Sequence, residues 1–132
     1  MKRSFTALAL SALLTMGAVL VLPSCGHDRK LVSLQVTPSG FTFATPVAGA
    51  SGQFRAVGTY IHPPSTIDVT DQAVWTTDDA VVSVSGGLVV TTGGCGSTGV
   101  TATMPEGTGG ASNIVRAFGT VVVHDPTDPN CP

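Results

Sequence analysis

Charge is scarce in this chain. Of 132 residues only 11% are Asp, Glu, Lys or Arg, and Glu106 is the sole glutamate. A disordered acidic or basic tail needs far more charge than this. Aromatic residues are few as well, at 5%, with one Trp and one Tyr. No basic stripe interleaved with aromatics occurs, which argues against nucleic-acid binding, since phosphate affinity is mostly electrostatic. From Leu31 onward no stretch of ten or more residues keeps a helical period, and the Ala/Glu/Lys/Leu richness of a coiled coil or helical bundle is missing. A length of 132 residues leaves little room for a two-domain enzyme, because one domain takes about 100–200 residues. What the chain does hold is 18 Val, 18 Thr, 16 Gly and 9 Pro. The first two favour strands, and the last two punctuate them with turns.

Residues 1–24 read as an export leader. Lys2 and Arg3 make a short positive start, and residues 5–22 are uncharged and mostly apolar. The competing reading is an uncleaved membrane anchor, because an 18-residue run is near the lower limit for spanning a bilayer. Leu22-Pro23-Ser24-Cys25 resembles the bacterial lipobox, with Pro23 in place of the more usual small residue. That resemblance implies cleavage before Cys25, lipid on its thiol and an acylated amino group. Two or more acyl chains anchor stably where one does not. Gly26 after the cysteine, in place of Asp, implies outer-membrane sorting by the same resemblance. Residues 25–30 then form a polar tether. With the leader removed, four basic residues face eight acidic ones, a balance of −4.

From Leu31 onward the pattern is strand and turn. Alternation and breakers predict strands at 31–37, 41–45, 53–62, 67–70, 73–77, 80–85, 88–92, 100–104 and 114–124. In 53–62 the face of Phe54, Ala56, Gly58 and Tyr60 turns inward, with Arg55 and Thr59 outward. Gly86-Gly87 between two apolar runs predicts a hairpin, because its favoured turn needs positive φ. Seven to nine short strands with regular turns predict a single all-β sandwich or barrel over 31–124, followed by a Pro-rich tail at 125–132.

Residues 68–84, from Asp68-Val69-Thr70 through Trp75 and Asp78 to Val84, resemble the bacterial immunoglobulin-like domain group 2. Val36-Thr37-Pro38, Gln53-Phe54-Arg55-Ala56, Gly86-Gly87-Leu88 and Val100-Thr101-Ala102-Thr103 match further landmarks of that family in order. The resemblance implies an immunoglobulin-like β-sandwich with Trp75 as a buried core residue beside Phe54 and Tyr60. It also implies a non-catalytic spacer or binding module of the kind found in adhesins and other surface proteins. Two segments depart from the family pattern: the Gly-rich 93–99 carrying Cys95, and the long loop 105–112. The chain has one copy where adhesins string several.

Cys25, Cys95 and Cys131 are the three cysteines. With Cys25 lipidated, two remain in an oxidising compartment, where pairing is expected. Cys95 precedes the penultimate predicted strand and Cys131 follows the last. Antiparallel neighbours would bring them to one end. A closed loop of about 37 residues corresponds to roughly 3–4 kcal/mol of chain entropy. The alternatives are free thiols, or a nucleophilic Cys95, which needs a base that none of His27, His62 or His124 is placed to be.

Asp68, Asp71, Asp78 and Asp79 cluster in sequence and form a weak calcium candidate, set against ordinary turn chemistry. No cofactor motif stands out, and no nucleophile–base pair marks an active site. The expectation is an exported lipoprotein that contacts an envelope protein. The alternative is a glycan-binding surface module using Tyr60 or Trp75.

Overall fold

The computed structural model describes residues 29–107 and 113–131. The leader, Cys25, tether residues 26–28 and most of the predicted 105–112 loop lie outside them. The described chain is all-β, with ten strands in three sheets. In order they are β1 (Lys30–Thr37), β2 (Gly40–Phe43), β3 (Ser51–Gln53), β4 (Arg55–Ile61), β5 (Ser65–Asp68), β6 (Val74–Thr77), β7 (Val82–Ser85), β8 (Leu88–Thr91), β9 (Gly96–Pro105) and β10 (Ile114–Val123).

The longest strands form the backbone of the fold. β9 and β10 pair antiparallel along their whole length, from Ile114 opposite Pro105 to Val123 opposite Gly96. β6 joins the outer side of β9, and β2 runs parallel to the far half of β10. A second sheet has the order β1-β4-β5, and a third β3-β8-β7. The layers share one core containing Leu31, Val36 and Ala56 from the second sheet, Val82 and Val89 from the third, and Val100, Ala102, Val121 and Val123 from the first. This is a sandwich-like packing in which alternate residues of each strand turn inward. Each fully buried side chain of this size contributes roughly 1.5–3 kcal/mol.

Phe54 organises the centre. It is fully buried, and its ring lies 4.8 Å from Phe41 edge-on and 6.2 Å from Trp75. Gly119 on β10 makes room for it: a Cβ there would come within 2.8 Å of the Phe54 ring. Trp75 is buried, and its Nε1–H donates to the Thr70 carbonyl at 2.9 Å, so the indole's polar group is satisfied. Tyr60 is half-buried at the edge of the core.

Several predicted elements shift. The single strand at 53–62 is two strands, β3 and β4, interrupted at Phe54. The Phe54 N–H donates to the Gly87 carbonyl at 2.8 Å, so this residue bridges two sheets rather than extending one ladder. The 100–104 strand begins earlier, at Gly96, and 67–70 moves to 65–68. Lys30, assigned to the tether, opens β1. The hairpin at Gly86-Gly87 forms as expected, with φ of 53° and 75°.

Candidate functional site

Strand direction gives the domain two distinct ends. At one end β1 begins, β9 finishes and β10 starts. There the Leu31 N–H donates to the Glu106 carbonyl at 2.8 Å, and Lys30 Nζ lies 2.9 Å from Glu106 Oε1. Asn113 Nδ2 donates to the other Glu106 oxygen at 2.8 Å. The hydrogen bonds from Lys30 and then Asn113 hold the Glu106 carboxyl below its usual range. The Arg29 guanidinium lies 5.7 Å above the Tyr60 ring, a cation–π geometry. A hollow of about 300 Å³ opens here, lined by Arg29, Tyr60, Gln72, Met104, Pro105, Glu106 and Gly107.

At the opposite end Cys95 and Cys131 form the disulfide, their Cα atoms 5.9 Å apart. The expected pairing therefore holds, for the reason given by topology: β9 starts where β10 ends. A cysteine held in a disulfide is not a nucleophile, which removes the catalytic reading of Cys95. The tail is built from side-chain turns. Asp125 Oδ1 accepts from the N–H and Oγ1 of Thr127, and Asp128 Oδ1 accepts from the N–H and Nδ2 of Asn130. The Thr127 hydroxyl, then its N–H, holds the Asp125 carboxyl below its usual range.

The four Asp residues considered for calcium fall in two places. Asp68 and Asp71 line a polar notch of about 410 Å³ with Gln53, Arg55, Thr70, Gln72 and Gly86. Asp78 and Asp79 lie beyond β6, where the Asp78 N–H donates to the Gly99 carbonyl and the Asp79 N–H to Thr98 Oγ1. Among the described residues no group of three or more His, Cys, Asp or Glu is gathered to hold a metal ion. Asp68 is engaged in a turn: its Oδ1 accepts from Thr70 Oγ1 at 2.5 Å and from the Thr70 N–H at 3.0 Å. These bonds, hydroxyl first, lower its pKa, with Arg55 adding a weaker attraction from 3.9 Å. Gln53 is pinned by donation to the Phe54 and Gly86 carbonyls at 2.7 and 3.0 Å. The notch can exchange hydrogen bonds with a hydroxyl-rich ligand. It offers no aromatic platform, and buried Trp75 supplies none.

Sequence reasoning did not single out the outer face of β10. Ile114, Arg116, Phe118 and Thr120 all point outward, with Phe118 69% exposed. The signal was present as an alternation in 114–123 that sets Phe118 and Arg116 on the same side, opposite Ala117 and Val121. No protein-family model matches the chain, and no curated protein matches it.

Proposed function

We infer that this is an exported, lipid-anchored protein of the cell envelope whose all-β domain serves as a non-catalytic interaction or structural module. The reading includes lipidation at Cys25, removal of residues 1–24, outer-membrane sorting and an immunoglobulin-like strand arrangement. The observation that carries it is the spacing between anchor and fold. β1 opens at Lys30, five positions after Cys25, so an anchored cysteine leads almost directly into an ordered strand. The partner is an envelope protein meeting an exposed sheet face or edge.

A second reading, a glycan-binding surface module, is favoured by one observation. The polar notch holds two pinned side chains, Gln53 and Asp68, whose ordering cost is already met within the fold.

The test is membrane fractionation and intact mass measurement of the full chain and of Cys25→Ala. The expected result is a mass increment of diacylglycerol plus an acyl group on Cys25, and a soluble variant. A Cys25→Ala chain that stays in the membrane would replace the lipid anchor with an uncleaved helix. Crosslinking in cells then identifies the partner, and oligosaccharide titration followed at the Gln53 and Asp71 amides tests the second reading.

A further inference from the structure

The domain is polarised along its strands in charge. Four basic residues are described: Arg29, Lys30, Arg55 and Arg116. Three of them, all but Arg55, gather at the end where β1 begins, because Arg116 sits only two residues into β10. The other end lies about 30 Å away along a ten-residue strand. It carries Asp78, Asp79, Asp125 and Asp128, and the one basic residue toward it, Arg55 opposite Thr37, faces Asp68 at 3.9 Å.

Among the described residues six large apolar side chains are left in solvent; Val32, Val47 and Leu88 lie apart, and the other three share one face. Ile114 is 56% exposed, Val74 63% and Phe118 69%. Strand register gathers them on the outer face of the four-stranded sheet. Val74, Thr103 and Arg116 form one row across β6, β9 and β10, and Thr76, Thr101 and Phe118 form the next. Ile114 stands one step nearer the end. Arg29 and Lys30 are committed to the fold through Tyr60 and Glu106. The Arg116 side chain makes no ion pair or hydrogen bond with the described residues. The face is therefore an apolar surface around one uncommitted cation, with threonines between and no carboxylate.

We propose that this face is a membrane-contact surface: Ile114, Val74 and Phe118 rest at the headgroup boundary of an anionic bilayer, and Arg116 meets its phosphates. The proposal rests on the lipid-anchor reading. Four residue steps separate Cys25 from Arg29, so the anchor holds this end within about 14 Å of the lipid surface. A tethered contact is intramolecular, and a small patch then suffices where free binding would need a larger one. Ile114 lies about 30 Å along β10 from the Asp-bearing end, several times the Debye length of about 8 Å at physiological salt, so those carboxylates add little to the field around Ile114 and the anchored end. A second copy fits the face less well. A two-fold pairing would bring Arg116 toward its own equivalent with no acid on the face to receive it.

The test uses the full lipidated chain in nanodiscs of phosphatidylethanolamine and phosphatidylglycerol doped with a gadolinium-chelating lipid. Amide relaxation is read residue by residue, after intact mass has established lipid on Cys25. The expected result is enhancement at Val74, Ile114 and Arg116 several-fold larger than at Asp79, Asp128 and Asn130. Arg116→Glu reverses a charge at the anionic surface and lowers the contact equilibrium roughly tenfold or more, with the lipid still attached. Equal enhancement at both ends, on a protein shown to be lipidated, overturns the membrane contact and leaves the anchor reading standing. An unlipidated Cys25 overturns both. Concentration-dependent shifts at the same amides without bilayer would assign the face to a second copy, and that also overturns the proposal.

Discussion

At the end where β1 begins, the fold is closed by Lys30, Glu106 and Asn113, with the Leu31 N–H on the Glu106 carbonyl. At the opposite end it is closed by a covalent bond between Cys95 and Cys131 and by turns in which Asp125 and Asp128 accept from their neighbours. Both closures join the start of one long strand to the finish of the other. Their physics differs. Ionic closure at a half-exposed pair is screened by salt and answers to pH. A crosslink acts mainly by restricting the unfolded chain and is indifferent to either. The end where β1 begins is thus the adjustable one, and the opposite end is stapled.

The largest effect is expected from the residue both ends depend on. Phe54→Ala removes a fully buried ring that packs against Phe41, Trp75 and the Gly119 backbone. A loss of about 3–5 kcal/mol is expected from such a truncation. Urea unfolding measures it. Hydrogen exchange in the variant should rise together at the Leu31 and Val123 amides. Faster exchange at one end only would mean that the ends have separate cores.

Removing the staple acts on one end. The double variant Cys95→Ser, Cys131→Ser opens a loop of 36 residues in sequence separation. It should cost about 3–4 kcal/mol by the chain-entropy relation. Hydrogen exchange should rise first at residues 125–131, while Leu31 keeps its protection until global unfolding. Equal loosening at Leu31 would break the contrast between the ends.

How much of this was legible in the sequence follows from how far each signal reaches. The Gly86-Gly87 hairpin was legible because its cause lies within two residues, both at positive φ. The disulfide was legible because strand order alone places Cys95 and Cys131 at one end. Phe54 was assigned to the core but not recognised as a break between strands. Its N–H goes to Gly87, thirty-three positions away, and no local pattern encodes that choice. The grouping of Asp68, Asp71, Asp78 and Asp79 was misleading for a related reason. Neighbours in sequence are separated by β6, and the four serve two different sets of loops. The Lys30–Glu106 pair joins residues that only the closing of β1 onto the end of β9 brings together.

The smallest effect belongs to that pair and is the most specific. Glu106 is held below its ordinary 4.5 chiefly by the hydrogen bond from Lys30, then by Asn113. A carboxyl whose folded pKa is depressed stabilises the fold above its unfolded pKa, and the contribution fades as pH falls through the folded value. Asp125 behaves with the same sign below its ordinary 3.8, but its donors are the neutral hydroxyl and N–H of Thr127. Lys30→Met should therefore raise the Glu106 pKa toward its ordinary value and leave Asp125 in place. Carboxyl carbon shifts followed by NMR across the acid range read both groups at once. Added salt should move Glu106 in the same direction as the variant does and barely move Asp125, because only the first has a charged donor to screen. If salt shifts both carboxyls equally, ionic closure is not what distinguishes the end where β1 begins.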